Sequence, residues 1–196
     1  MASDKRHRQI SISLGICGSI ACAVIAGALV FGSAQLAIVR AAAIPGSTDA
    51  PSTLSIPAGL RQIAPPLVIK SIDGKLIDLA KYKGKVVLLD FWAVHCGGCR
   101  LEIPWYVQLD RKYHRDGLQL IGIDMFGESP LVIRPFMEKS HMTYPVAVGT
   151  GAIGERFKVQ EMPLTLLIDR HGRIAYSHAG VVDKDSFERN IAALLR

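Results

Sequence analysis

Cys96 and Cys99 stand two glycines apart in the sequence HCGGCR. This spacing suits a redox dithiol, half of a metal site, or a haem attachment site. Haem attachment wants histidine directly after the second cysteine, and that position is Arg100. A structural zinc site wants four nitrogen or sulfur ligands. After residue 60 there is no further cysteine, and His114, His141, His171 and His178 show no paired ligand spacing. His95, beside Cys96, keeps a metal-binding or delivery module of His95, Cys96 and Cys99 open as an alternative. The redox reading has a mechanism at this spacing. Where such a pair opens a helix, the first sulfur lies at the helix N-terminus, whose free N–H groups favour thiolate over thiol. Cys96 would then attack a disulfide, and Cys99, one turn inward, would resolve the mixed disulfide. An inert structural bridge is the bland alternative, but so short a loop removes little chain entropy.

The elements that must hold the pair are visible on both sides. Val86–Trp92 (VVLLDFW) is a continuous apolar run of the kind buried on both faces of a central strand, with Asp90 its one charge. Asp90 is either a strand-end carboxylate that reaches solvent or a buried acid of raised pKa. A helix is expected over roughly Cys99–Arg115 with Gly117 as its stop, followed by a strand at Leu118–Asp124. Asp73-Gly74 between Leu67–Ser71 and Lys75–Leu79 predicts a hairpin, and Leu164–Asp169 with Ile174–Ser177 predicts another. Helices are expected at Ser129–Lys139, kinked at Pro135, at Ala152–Phe157, and at Asp185–Leu195, where Asp185 and Glu188 have capping-box spacing. Strands interleaved with helices point to a three-layer α/β domain.

The 196 residues allow one sizeable domain and an appendage. Mean hydropathy is +0.27, high for a soluble domain, and the excess is N-terminal. Gln9–Val39 carries no charged side chain, with Lys5, Arg6 and Arg8 before it and Arg40 after it. About 20 apolar helical residues cross a bilayer, so residues 1–44 are expected to be a cytoplasmic tip and a transmembrane signal anchor. A cleaved signal peptide ending near Ala41–Ala43 is the competing reading, and a lipoprotein at Cys22 is disfavoured by Ser19. Cys17 and Cys22 then serve as small apolar packing residues. Residues 45–64, rich in Pro, Ser, Thr and Gly, are expected as a flexible linker, and 65–196 as one exported domain. Residues 1–40 hold half of the formal net charge of +6, and no basic patch interleaved with aromatics follows, so a nucleic-acid partner is excluded.

VVLLDFWAVHCGGCRLEIP resembles the active-site segment of the TlpA/ResA-like membrane-tethered thioredoxins, a family that also includes cytochrome c maturation reductases. The similarity extends through APPLVIKSIDGKLIDLAKYKGK before it and EMPLTLLIDRHGRI after it, about residues 64–178. The resemblance implies a thioredoxin-like three-layer α/β/α sandwich with a mixed central sheet, after an N-terminal transmembrane helix. It implies Cys96 and Cys99 as the catalytic pair, with Asp90 and Glu102 as acids beside Cys99 and Pro104 as a helix kink. Pro163 becomes a cis-proline facing the dithiol, and Met162, Pro163, Trp92 and His95 the substrate-binding set. It further implies a protein-disulfide reductase of exported proteins, with no cofactor beyond its own disulfide. That reductase would be fed by a membrane thiol–disulfide donor on the periplasmic side of the cytoplasmic membrane, in cytochrome c maturation or envelope redox homeostasis. The sequence departs from the family at Gly97-Gly98, where a proline is usual, and at His95, where tryptophan is usual. A cationic His95 would stabilise the Cys96 thiolate and make the couple more oxidising, so an oxidase or isomerase of opposite polarity stays open. Leu89 and Ala93 occupy the Pro and Thr/Ser positions of a peroxiredoxin pattern and count against a peroxidase.

Overall fold

The computed structural model describes residues 55–196. The expected cytoplasmic tip and membrane anchor at 1–44, and the first part of the linker, lie outside the described residues. Among the described residues no helix is long and apolar enough to cross a membrane.

Seven strands and four helices follow in the order β1 (Val68–Lys70), β2 (Leu76–Asp78), β3 (Val86–Trp92), α1 (Gly97–Tyr113), β4 (Leu118–Asp124), α2 (Pro130–Lys139), β5 (Val146–Val148), α3 (Gly151–Phe157), β6 (Leu164–Ile168), β7 (Ile174–Ala179) and α4 (Lys184–Leu195). β1 and β2 form the first hairpin, around Gly74 at φ 81°. The main sheet runs β5-β4-β3-β6-β7, parallel across β3–β4 and β4–β5, antiparallel across β3–β6 and β6–β7. It is the mixed α/β sheet expected. β3 lies at its centre with every residue buried, as its apolar run requires.

Alternation along β3 sends its residues to two cores. Val86, Leu88 and Trp92 face a core shared with Ile103 and Tyr106 of α1, Ile133 of α2, and Phe187 and Ile191 of α4. Val87, Leu89 and Phe91 face the opposite core, closed by Ile153 and Phe157 of α3 and by Leu67, Ile77 and Leu79 of the first hairpin. Asp90 shares the parity of Leu88 and Trp92, and so points toward the α1 layer.

Two expectations shift. Residues 55–64, expected as the end of a flexible linker, run along β7: Ile56 N–H donates to Ala175 O at 2.8 Å, Ile174 N–H to Gln62 O at 2.8 Å, and Ala64 N–H to Gly172 O at 2.9 Å. They satisfy the unpaired backbone of an edge strand, which needs no apolar periodicity. The N-cap of α4 is Asp183, whose carboxylate accepts from Ser186 N–H at 2.9 Å, while Asp185 lies in the first turn, where the helix dipole favours it. Pro135 lies inside α2 and Pro104 inside α1.

Candidate active site

β3 delivers the chain to the dithiol through a tight turn in which Cys96 N–H donates to Ala93 O at 3.1 Å. Cys96 is the N-cap of α1, and its Sγ accepts from Cys99 N–H at 3.2 Å. The two sulfurs are joined in a disulfide, S–S 2.04 Å. Cys96 is half-buried, whereas Cys99 is 1% exposed. The helix mouth therefore presents one sulfur and hides the other, the asymmetry an attacking and a resolving thiol require.

The Met162–Pro163 bond is cis, as expected. Pro163 is buried and Met162 half-buried. A Cβ at Gly98 would lie 3.1 Å from Pro163 Cδ and 3.1 Å from Val181 Cγ2, so the proline ring and the loop before α4 close directly over the dithiol. Gly180 N–H donates to Pro163 O at 2.8 Å and fixes that loop.

Toward the α1 layer lies a buried acid pair. Asp90 is 2% exposed, between Gly122 of β4 and Thr165 of β6 in register, and neither carboxylate oxygen has a hydrogen-bond partner among the described residues. Burial first, and the neighbouring Glu102 second, hold its pKa well above the ordinary carboxylate range. Glu102, one helical turn beyond Cys99, is 1% exposed. Its Oε1 accepts from Val182 N–H at 2.7 Å, while Oε2 has no partner among the described residues. Burial pushes its pKa up to about 7, against the opposing pull of Val182 N–H, the Tyr106 hydroxyl and Lys184. Tyr106 and Thr165 share a hydroxyl hydrogen bond of 2.8 Å that closes the floor of this pocket. Both acids are thus raised, so each holds a proton at a pH where an ordinary carboxyl group has begun to lose it.

The exposed side is built differently. His95 Nδ1 lies 2.8 Å from Glu128 Oε1, and Glu128 Oε2 accepts from Val94 N–H at 3.0 Å. Glu128 N–H in turn donates to Oδ2 of the buried Asp124 at 2.9 Å. Burial alone would raise Glu128, but the bonds from Val94, His95 and Asp124 overcome it and leave its pKa below the ordinary range. Burial pushes Asp124 up to about 6. Neither Glu128 nor Asp124 was anticipated from sequence. A signal existed, because parallel neighbours β3 and β4 pair Trp92 with Asp124 and so place their C-terminal loops side by side.

Trp92 requires correction. Expected to face substrate, it is fully buried, stacked on Phe136 at 5.4 Å between ring centroids, with Nε1 2.9 Å from where a Cβ on Gly122 would stand. Strand parity sends it to the α1-side core. Among the described residues, no group of three or more His, Cys, Asp or Glu side chains is arranged to hold a metal ion.

Residues 60–177 match the model of the AhpC/TSA family. The thiol-disulfide oxidoreductase ResA of Bacillus thuringiensis subsp. konkukian is 32% identical over 126 residues, 64% of this chain and 72% of the relative. ResA of Geobacillus kaustophilus is 28% identical over 132 residues, 67% of this chain and 75% of the relative. A thiol:disulfide interchange protein of the thioredoxin family from Chlorobium tepidum superposes with a TM-score of 0.64 at 27% identity, over 69% of this chain and 97% of that one. A DsbF homologue from Corynebacterium diphtheriae shares the fold, with a TM-score of 0.66 at 22% identity over 75% of this chain and 96% of that one.

Proposed function

We propose a direction and a setting for a chain that belongs to the AhpC/TSA family and, as a TlpA/ResA-like member of it, is a thiol–disulfide oxidoreductase working through Cys96 and Cys99. The direction is reductive. Cys96 thiolate attacks a substrate disulfide, the substrate's far sulfur leaves with the electron pair, and a mixed disulfide forms. Cys99 then gives its proton to Glu102 and attacks Cys96 Sγ, so that the mixed disulfide breaks, the second substrate sulfur leaves as a thiolate with the electron pair and takes a proton from solvent, and the Cys96–Cys99 disulfide remains.

The observation that carries this direction is the charge balance around the pair. A couple is oxidising when its reduced thiolate form is stabilised. Cys99 is 1% exposed and one helical turn from the buried Glu102, an environment that opposes a thiolate there. His95, the group that argued for the opposite polarity, has its charge answered by Glu128 at 2.8 Å. Beyond the helix N-terminus, where Cys99 N–H reaches Cys96 Sγ, the reduced form gains no further stabilisation, which favours electron donation.

The setting follows from the N-terminal sequence: a single-pass anchor in the cytoplasmic membrane, the domain on the periplasmic side, exported protein disulfides as substrates, and a membrane thiol–disulfide donor that re-reduces the pair. Apocytochrome thiols kept reduced for haem attachment are one such substrate class. The disulfide is its own redox group, and no separate cofactor is invoked.

Equilibration of the full-length chain with thiol redox buffers tests the direction. The expected potential lies nearer that of thioredoxin, about −270 mV, than that of DsbA, about −120 mV, and a value near the latter would reverse the assignment. Reporters fused after residue 60 test the setting: activity of an exported reporter supports it, and activity of a cytoplasm-only reporter overturns it.

A further inference from the structure

The His95–Glu128–Asp124 chain has no part in the attack and resolution steps, although His95 directly precedes the attacking Cys96. Glu128 is ionised near neutral pH and is tied down at Oε2 by Val94 N–H, so its Oε1 only accepts. Nδ1 of His95 must therefore carry a hydrogen and donate it. The carboxylate so fixes the tautomer, and Nε2 becomes the atom that takes up and gives up a proton. The His95 side chain is 74% exposed while that of Glu128 is 12% exposed, so the ring is oriented from below and open to an incoming substrate. From the β4–α2 segment Glu128 and Asp124 meet this loop, and from the N-cap of α1 Cys96 does, whereas Asp90 and Glu102 are buried.

We propose that His95 is a general acid that protonates the substrate sulfur leaving in the first exchange, and that Glu128, seated on Asp124, is the positioning residue that aims its Nε2. The inference rests on the thiol–disulfide exchange reading. When the Cys96 thiolate attacks, a new S–S bond forms to the near substrate sulfur and the substrate S–S bond breaks. The far sulfur takes the electron pair and receives the Nε2 proton, leaving as a neutral thiol. His95 remains as a neutral ring still donating through Nδ1, and solvent restores its proton. No oxidant beyond the substrate disulfide is needed.

A leaving thiol of low pKa departs readily as an anion, whereas one of ordinary pKa gains from protonation. The test therefore compares two disulfides with the reduced full-length chain under single-turnover conditions: 5,5′-dithiobis(2-nitrobenzoate), whose aromatic thiolate is a good leaving group, and oxidised glutathione, whose thiolate is not. The readout is the ratio of the two rates across pH. In His95→Gln and Glu128→Gln, the rate with oxidised glutathione should fall about tenfold relative to the aromatic disulfide, less than the ~10²-fold of a buried acid because water also donates at an exposed site. The pH dependence of that ratio should flatten in both variants, and Glu128→Asp should restore part of it. Equal losses on both disulfides would reduce His95 to a stabiliser of the Cys96 thiolate and overturn proton delivery. An unchanged ratio would overturn it as well. If the unmodified chain reduces neither disulfide, the exchange reading itself has failed, an outcome distinct from both.

Discussion

The two sulfurs of one disulfide lie in opposite chemical settings. On the Cys96 side the histidine is open to solvent and the carboxylate beneath it is paired: Glu128 accepts from the Val94 N–H and from the His95 ring. On the Cys99 side the acids are buried, and three of four carboxylate oxygens, both of Asp90 and Oε2 of Glu102, have no partner among the described residues. Solvation explains the division of labour. A charge that must be present before substrate arrives is cheapest at the surface. A proton that must move only after the mixed disulfide has formed is best handled where water does not compete. The step from Cys96 to Cys99 is a single turn of α1, so the fold produces this gradient across a Cα–Cα distance of 5.3 Å.

Removing either sulfur breaks the contrast most completely. Cys96→Ser should abolish turnover and form no substrate adduct, while Cys99→Ser should equally lose turnover but accumulate the Cys96 mixed disulfide, detected by intact-mass spectrometry. In the reduced wild-type chain Cys96 should be alkylated well before Cys99. Faster labelling of Cys99 would invert the assignment.

The next effect is on stability. Glu102 takes its proton at about 7 in the folded protein against an ordinary 4.5, so the folded state binds more protons than the unfolded between those values. The associated stability is full below about pH 4.5 and is lost as pH rises through about 7, a swing of up to about 3 kcal/mol. Asp90, raised in the same direction, adds to the loss on the alkaline side. Glu102→Gln should flatten urea unfolding free energies of the oxidised protein between pH 5 and 8, with further flattening on adding Asp90→Asn. Unchanged slopes in the double variant would mean that neither acid is protonated by the fold.

Kinetics should then separate the two acids. If Glu102 accepts the Cys99 proton while Asp90 holds its own, Glu102→Gln should slow resolution of the mixed disulfide by tenfold to about 10²-fold, and Asp90→Asn by less. Stopped-flow reduction with quenched samples reads both steps. An Asp90→Asn defect larger than that of Glu102→Gln would exchange the roles.

What the sequence made legible, and what it did not, divides along similar physical lines. β3 and β4 coincide with the strands expected, because a fully apolar run has one natural partner environment, the centre of a sheet. Cys96 and Cys99 were legible from their own spacing at a helix start, and Glu102 from the family resemblance. Glu128 was not, since its relation to His95 spans 33 residues and rests on the register of β3 against β4. β5, three residues long, and the 55–64 segment escaped for a related reason: both are held by backbone hydrogen bonds to sheet edges rather than by side-chain periodicity. Trp92 was misassigned from resemblance, although its parity with Val86 and Leu88 already placed it on the core face.

The smallest predicted effect tests the contrast at its midpoint, in the two glycines between the sulfurs. A Cβ on Gly97 would have no neighbour within 4 Å, whereas one on Gly98 would press on Pro163 and Val181 at 3.1 Å each. Neither glycine has the positive φ that only glycine tolerates well, since the positive-φ glycines of the domain lie elsewhere. Gly97→Ala should therefore stabilise the protein by about 0.5–1 kcal/mol, chiefly by restricting the unfolded chain. Gly98→Ala gains the same entropy but must displace its neighbours. Val181 lies in an exposed part of the loop and can yield, but Pro163 is buried and its carbonyl is bonded to Gly180 N–H. The expected balance is a loss of about 1 kcal/mol, at the low end of overpacking costs. Thermal unfolding of the two oxidised variants side by side reads the difference, and equal shifts of the same sign would show that the loop over the dithiol gives way freely. That loop also carries Val182, whose N–H holds Glu102. A displaced Gly98 neighbour should therefore move the resolving step as well, while Gly97→Ala leaves the Glu102 contact in place, so the packing of one methyl group distinguishes the two sides of the disulfide.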